Sequence, residues 1–284
     1  MAATILDGKP VAAAIREQIS VEADALRRAG GITPTLAMFR VGEDEALLSH
    51  ARSVRRSFEK AGFGLQEHAL PAETAMPDVA AALHRLNADP GVHGILIQEP
   101  LPGHVDQTML LEILDPLKDV DGVTPLNAGR LAQQRGRYHV ASTPAGGLAI
   151  LDFYQIPLKG QRAVVVGRSD IVGKPMALLL LHRHATVTIA HSRTQALGDV
   201  CREADVLVAA VGRAGLITGS MVKPGATAID FGINFVDGNL VGDVAFQEAV
   251  EVAGAITPVP GGTGPATGAI LLRNTLQAAR WLAE

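Results

Sequence analysis

The chain has 284 residues, of which 48% are hydrophobic, and its formal net charge at pH 7 is −4. This length is enough for one large domain or two medium ones with a sizeable core. Because lysine and arginine are spread along the chain, neither nucleic acid nor a membrane surface is the expected main partner. Cys201 is the single cysteine, which excludes an internal disulfide and a cysteine metal cluster.

Two apolar features bear on the expected location. The first ten residues, MAATILDGKP, lack the basic segment and long apolar run of a secretory signal. The leucine-rich run at 176–181 is far too short to cross a bilayer. We therefore expect a protein of the reducing cytoplasm, without a metal site.

Segments typical of strands and helices alternate along the chain, which predicts an α/β protein with a mostly parallel sheet. In the first part we predict strands at 34–42, 64–70 and 92–98 and helices at 46–62 and 76–89. The segment 114–147 is rich in Pro, Gly and Asp and lacks strong periodicity. We interpret it as a domain boundary with ordered turns.

The second part contains four short apolar segments with many β-branched residues. They predict strands at 162–168, 185–191, 204–212 and 226–233, with the composition of parallel strands covered on both faces. A second loop rich in Gly and Pro is predicted at 256–268. A helix is predicted at 269–283.

The helix predicted at 46–62 has one apolar face. Residues on this face recur at helical spacing: Leu47, Ala51, Val54, Phe58 and Ala61. His50 lies one turn before Val54, so the two side chains are expected to be neighbours. The face is either part of the core or part of a site, and valine could take no part in proton transfer there.

The stretch VVVGRSDIVGKPMALLLL, at 164–181, predicts a phosphate-binding turn. A buried strand ends at Gly167, and a helix begins near Pro175, so free backbone N–H groups would face an anion. Gly167 and Gly173 allow close approach of a pyrophosphate. The spacing differs from G-x-G-x-x-G, so an ordinary strand–turn–helix remains the alternative.

The end of the following strand indicates which dinucleotide binds. An acidic residue there selects NAD, but this chain has Ser192, Arg193 and Thr194. Arginine and hydroxyl groups suit a 2′-phosphate, and Arg168 lies in the first turn. We therefore predict NADP, with a solvated loop charge as the alternative role of Arg193.

Several collinear motifs resemble those of the bifunctional FolD family, methylenetetrahydrofolate dehydrogenase and methenyltetrahydrofolate cyclohydrolase. They include ILDGKPVAAAI, GILIQEPLP, KDVDGVTPLNAGRL, GRSDIVGKPMA and ITPVPGGTGPATGAILLRNT. The resemblance implies an N-terminal three-layer α/β folate domain over 1–122 and 266–284. It also implies a Rossmann-like NADP-binding domain over 140–265, folate in the cleft between the two, and a homodimer.

The resemblance also implies the reactions and the residues that serve them. The family oxidises 5,10-methylenetetrahydrofolate with NADP and then hydrolyses the methenyl product to 10-formyltetrahydrofolate. Asp121 matches the aspartate that holds the pterin ring, although Asp-Gly is also a common turn. Gln98 matches the glutamine that supports a catalytic lysine. The remaining matches are Gly167, Arg168, Ser169, Gly173, Ser192 and Ile233 for NADP, and Pro260, Gly261 and Gly262 for folate.

The chain departs from the family where folate would bind. His50 stands at the position of a tyrosine and Val54 at the position of the catalytic lysine. Further departures are Glu99, Ser142, Thr263 and Ala266. Hydride transfer needs mainly positioning, whereas hydrolysis needs a proton acceptor. We therefore predict weak or absent cyclohydrolase activity.

Two side chains are possible substitutes for the lysine. His50 has an ordinary pKa near neutrality, and Glu99 would bring a carboxylate into the pocket. The alternatives are a half-exposed helix residue and a solvated charge at the strand end. The functional alternatives are an enzyme acting on another one-carbon adduct or amine, and a non-catalytic regulatory protein that binds NADP and folate. Intact Asp121 and Gln98 favour an enzyme over the regulatory protein.

Overall fold

The computed structural model describes residues 2–284, except for the side chains of residues 45–47. Helices and strands follow in the order β1 (Thr4–Ile5), α1 (Gly8–Gly30), β2 (Thr35–Val41), α2 (Glu45–Ala61), β3 (Gly64–Leu70), α3 (Met76–Ala88), β4 (Gly94–Ile97), α4 (Gln107–Ile113), α5 (Pro125–Gln133), α6 (Ser142–Phe153), β5 (Arg162–Val166), α7 (Gly173–His182), β6 (Thr186–Ala190), α8 (Leu197–Arg202), β7 (Val206–Ala209), β8 (Thr227–Asp230), β9 (Asn234–Val236), β10 (Asn239–Val241), α9 (Phe246–Ala249), β11 (Ala255–Ile256) and α10 (Thr263–Leu282). None of the described helices has the length and apolar character needed to cross a membrane.

The chain divides into two compact units. The first unit comprises residues 1–14 and 143–270, and the second comprises residues 15–142 and 271–284. The three divisions fall inside α1, after the first residue of α6 and inside α10. The predicted boundaries, 1–122 with 266–284 and 140–265, are those that the family resemblance implies, and they stay a prediction. The short strand β1 belongs to the first unit because it pairs with β11.

The first unit contains a six-stranded parallel sheet in the order β1-β11-β8-β7-β5-β6. The predicted parallel α/β architecture is confirmed. Every residue of β7 and β8 is buried, as expected for strands covered on both faces. That expectation is wrong for β6, whose residues Thr186, Thr188 and Ile189 are exposed. The reason is that β6 is the edge strand of the sheet.

The second unit contains a three-stranded parallel sheet in the order β3-β2-β4. Ala37, Phe39 and Ile95 share a buried cluster with α3 and α4 on one face of this sheet. The helix α2 packs against β3, and its Arg55 contacts Glu67 of that strand. Helices therefore cover this small parallel sheet, and the residues after β4 lie at its carboxyl end.

Two loop predictions are wrong in part. The segment 114–147 contains the helix α5, whose first turn is capped by the Thr124 hydroxyl and begins with Pro125. The loop predicted at 256–268 ends earlier, because α10 begins at Thr263. Neither segment has a strong apolar periodicity, so the helical residues in them were missed. Proline in the first turn of a helix is compatible with that helix.

Candidate functional site

The turn after β5 has the shape expected for a phosphate-binding loop. Gly167 has φ of 133°, and a Cβ there would lie 2.1 Å from the Ala210 carbonyl oxygen. A Cβ on Gly173 would lie 2.4 Å from the Gly167 carbonyl oxygen. Both positions therefore require glycine. In the first turn of α7, the N–H groups of Gly173, Lys174 and Met176 donate to the Ser169 hydroxyl, the Ser169 carbonyl and the Val172 carbonyl.

Side chains around this turn fix its backbone. The Ser169 hydroxyl accepts hydrogen bonds from the N–H groups of Val172 at 3.2 Å and Gly173 at 3.3 Å. Lys174 pairs with Asp170 on the exposed side of the turn. Arg168 is exposed and makes no described ion pair. It is therefore available to contact an anionic ligand.

The turn after β6 carries the groups expected for a 2′-phosphate. The His191 N–H donates to the Thr194 hydroxyl at 2.9 Å, and the Arg193 N–H donates to His191 Nδ1 at 3.1 Å. Ser192 and Arg193 are exposed. This donor set contains a cation and a hydroxyl group without a carboxylate, so it fits NADP.

A buried aspartate that sequence reasoning missed orders the loop after β7. Asp243 accepts hydrogen bonds from the N–H groups of Val211 at 2.6 Å, Gly212 at 3.0 Å and Arg213 at 2.8 Å. Asn234 donates to the same carboxylate at 3.0 Å. The GDV sequence at 242–244 did not indicate this structural role, because the preceding β9–β10 hairpin was not predicted. Ile233 lies beside this hairpin and is 73% exposed.

The predicted folate loop at 260–262 belongs to the first unit. Gly261 has φ of 106°, and its carbonyl accepts a hydrogen bond from the Gly8 N–H at 2.9 Å. A Cβ on Gly8 would lie 1.8 Å from the Gly262 carbonyl oxygen. Pro260 is exposed. The loop is thus held close to the start of α1.

In the second unit, Gln98 directly follows β4 and is 2% exposed. Its backbone N–H donates to the Phe39 carbonyl at 2.8 Å. Both polar atoms of its side-chain amide are buried without a hydrogen-bond partner. Buried amides of this kind are rare, and each one calls for an explanation such as a bound ligand.

The two aspartates of the KDVDG motif have different roles. Asp119 is fully buried and accepts from the Thr124 N–H at 2.8 Å, the Val123 N–H at 3.2 Å and Asn127 Nδ2 at 2.8 Å. Asp119 therefore fixes the entry to α5.

The ammonium group of Lys118 donates to three carbonyl groups near the end of α3, at 2.7–3.2 Å.

The surroundings of Asp121 disfavour its ionised form. Burial, followed by the nearby charge of Asp119 and, more weakly, of Glu99, raises the pKa of Asp121 from 3.8 to about 7. Ser142 opposes this rise in pKa because its hydroxyl and N–H face the carboxylate. The Ser142 hydroxyl nevertheless lies outside ordinary hydrogen-bond geometry, with no partner.

The loop that carries Asp121 is pinned to the segment before α6. Gly122 has φ of 65°, and a Cβ there would lie 2.6 Å from the Ala141 nitrogen. Asn274 donates from Nδ2 to the Val120 carbonyl at 2.8 Å and to the Val140 carbonyl at 3.0 Å. These contacts place Asp121 next to Ser142.

The inner face of α2 is apolar as predicted at Ala51, Val54 and Phe58, which are buried. The side chain of Leu47 lies outside the described residues. His50 is exposed, but partial desolvation by the surrounding protein lowers the pKa of its imidazole. Val54 is 7% exposed. The inner face of α2 is thus nonpolar at position 54.

Glu99 is exposed at the end of β4, and its carboxylate accepts a hydrogen bond from Gln107 of α4. Partial desolvation raises the pKa of Glu99. Glu99 also interacts electrostatically with Asp121. The structure therefore brings Gln98, Glu99, Asp121 and Ser142 into one part of the second unit.

The comparisons with known proteins agree along the whole chain. Residues 6–121 match the catalytic domain of tetrahydrofolate dehydrogenase/cyclohydrolase, and residues 141–283 match its NAD(P)-binding domain. The chain is 52% identical over 285 residues to the bifunctional protein FolD of Herpetosiphon aurantiacus, covering 100% of this chain and 99% of the relative.

Two solved structures are similar in fold. The bifunctional enzyme FolD from Campylobacter jejuni has a TM-score of 0.95 and 39% identity, covering 98% of this chain and 99% of that chain. The Trypanosoma brucei enzyme, complexed with NADP and an inhibitor, has a TM-score of 0.94 and 36% identity, covering 100% and 99%. The resemblance inferred from sequence motifs is confirmed: the chain belongs to the tetrahydrofolate dehydrogenase/cyclohydrolase family.

Proposed function

We propose that this family member is an NADP-dependent 5,10-methylenetetrahydrofolate dehydrogenase whose cyclohydrolase activity is weak or absent. The observation that carries the proposal is the Gln98 amide, which is buried without a partner while Val54 stands at the lysine position. The family assignment and the glycine turn after β5 support retained dinucleotide binding. When bound, NADP supplies the nicotinamide that accepts a hydride.

In this proposal Asp121 holds the pterin ring. An ionised carboxylate accepts paired hydrogen bonds from an amino group and a ring N–H. Because the pKa of Asp121 is about 7, the free protein is a mixture of neutral and ionised forms at neutral pH. Binding of two donors favours the ionised form. The Gln98 amide is the further proposed folate contact in the second unit.

The remaining lysines of the second unit do not replace the missing one. Lys118 uses its ammonium group to bind carbonyl groups at the end of α3. Lys60 is exposed in the last turn of α2. Loss of a positioned acid or base typically costs roughly 10²–10⁴-fold in rate.

His50 and Glu99 are the two side chains that would restore hydrolysis. Partial desolvation lowers the pKa of His50 and so favours the neutral imidazole, the form that accepts a proton. The Glu99 carboxylate already accepts a hydrogen bond from Gln107. Alanine replacement tests each one: a fall of methenyl hydrolysis to the spontaneous rate would make that residue the base.

The preference for NADP is expected to depend on Arg193. Arg193→Ser should raise the KM for NADP roughly tenfold and leave the KM for NAD unchanged, because a charge-assisted hydrogen bond contributes about 1.5–3 kcal/mol before solvent screening. Steady-state kinetics with both coenzymes measure this. Arg162→Ser removes another exposed arginine and is the control. An equal change in both KM values would contradict the assignment.

Two alternative functions have specific support. The departures at His50, Val54 and Glu99 favour an enzyme that acts on a different one-carbon adduct or amine. The retained nucleotide turn is also compatible with a regulatory protein. We assay NADPH formation from 5,10-methylenetetrahydrofolate and folate binding together: turnover supports the dehydrogenase, and tight binding without turnover supports the regulatory protein.

We further propose a cytoplasmic homodimer with a folate domain at 1–122 and 266–284 and an NADP domain at 140–265.

A further inference from the structure

Two carboxylates at the end of β4 lack a cationic partner. Ile95 and Asp119 form a parallel bridge, and the Ile95 N–H donates to the Lys118 carbonyl at 2.7 Å. The residues that follow therefore run alongside β4, which places Asp121 next to the chain that continues into Glu99. Among the described ion pairs, none includes Asp121 or Glu99.

Unpartnered buried polar groups flank these carboxylates. In the described part of the chain, buried side-chain polar atoms without a partner occur in Arg40, Ser57, Gln98 and Ser142, all within the second unit. Gln98 precedes Glu99 and is 2% exposed, and Ser142 faces Asp121 and is 3% exposed. Buried polar groups of native proteins are normally satisfied. The Ser142 hydroxyl has the Asp121 carboxylate beside it, so the Gln98 amide is the group that indicates a ligand.

We propose that Glu99 is a specificity-determining residue that favours a positively charged one-carbon group on the bound folate. The inference rests on the proposed function. In the dehydrogenase reaction a C–H bond of the methylene carbon breaks and its electron pair leaves as hydride, which forms the new C–H bond on the nicotinamide. The neutral methylene group thereby becomes an amidinium cation, whose charge is shared by two nitrogens.

The charges of the second unit suit that cation. A carboxylate within several Å of a developing positive charge lowers its energy, and an ammonium group in the same place would raise it. Val54 removes the ammonium group that the family resemblance implies, and Glu99 adds a carboxylate. Both changes favour the methenyl cation over the neutral methylene substrate. Glu99 thus acts through its charge, and no proton transfer is assigned to it.

Binding of two folates that differ in charge tests the proposal. We compare 5,10-methenyltetrahydrofolate, a cation at its one-carbon group, with tetrahydrofolate, which is neutral there, by stopped-flow fluorescence at pH 7. Glu99→Gln keeps the shape and removes the charge. It should weaken methenyl binding roughly tenfold relative to tetrahydrofolate binding, and added salt should reduce the wild-type preference.

Glu112→Gln is the matched control, because it removes an exposed carboxylate from α4 on the same unit. Its ratio of the two affinities should equal that of the wild type. An unchanged ratio in Glu99→Gln would overturn the inference. If the wild type binds neither folate and makes no NADPH, the proposed dehydrogenase function itself is wrong, whereas turnover with an unchanged ratio refutes only the role of Glu99.

Discussion

Val54→Lys is expected to increase the rate of methenyl hydrolysis by roughly 10²–10⁴-fold, the usual contribution of a positioned acid or base. The side chain would extend from the inner face of α2, where Val54 is 7% exposed. Burial would lower the pKa of the new ammonium group, which brings its proton transfer closer to neutral pH. We measure the decay of methenyl absorbance and subtract the spontaneous rate.

Val54→Met is the control for this substitution. Methionine adds length without a titratable group and adapts to irregular packing, so its hydrolysis rate should stay at the wild-type value. A second substitution, Gln98→Leu in the Val54→Lys background, should reduce the gain because the buried amide is the expected partner of the lysine. An unchanged hydrolysis rate in a folded Val54→Lys protein would contradict the assignment of position 54.

Asp121→Asn is expected to weaken folate binding roughly 10²–10³-fold. The neutral amide loses charge-assisted hydrogen bonds to the pterin, and its NH₂ group faces donors instead of accepting from them. Titration calorimetry measures the affinity. Because ligand donors favour the ionised carboxylate, wild-type affinity should fall below pH 7, where the carboxyl group must first release a proton.

The same substitution should stabilise the free protein, with a pH dependence set by the pKa of Asp121. The folded-state pKa of about 7 lies above the ordinary value of 3.8, so ionisation disfavours the folded state. Between these two values the loss of wild-type stability grows with pH, and above about pH 7 it is constant. The Tm difference between Asp121→Asn and wild type should therefore rise from pH 4 to pH 7 and then level off.

Asp119→Asn is the contrasting control for stability. The Asp119 carboxylate accepts three hydrogen bonds, including one from the Thr124 N–H at 2.8 Å, and fixes the start of α5. Its replacement should lower the Tm at neutral pH. Equal Tm shifts for the two variants, or a pH-independent shift in Asp121→Asn, would contradict the different roles assigned to the two carboxylates.

The individual strands were predictable because local patterns determine them. Strand β3 has the predicted bounds, and Val54 and Phe58 lie on the apolar face that the helical spacing indicates. The helix α5 depends on a Thr–Pro cap rather than on periodicity, so the pattern did not predict it. The edge position of β6 depends on which strands pair with one another. The sequence of a single segment does not show this pairing, so the exposure of β6 was not predicted.

The candidate binding residues were assigned by motif, and that assignment stays a prediction, whereas their supporting residues were not predicted. Asp121 and Gln98 follow from the KDVDG and QEPLP motifs. The structural roles of Asp119, Lys118 and Asp243 depend on hydrogen bonds between distant segments. Sequence reasoning therefore found the candidate binding groups and missed the network that holds them.

The most direct test of the central claim is a single reaction in which 5,10-methylenetetrahydrofolate and NADP are mixed with the purified protein. NADPH, the methenyl cation and 10-formyltetrahydrofolate are quantified separately over time. Our account predicts NADPH and methenyl in equal amounts, with the 10-formyl product appearing at the spontaneous rate of hydrolysis. Formation of 10-formyltetrahydrofolate as fast as NADPH would contradict it, because a hydrolytic group would then be active despite Val54.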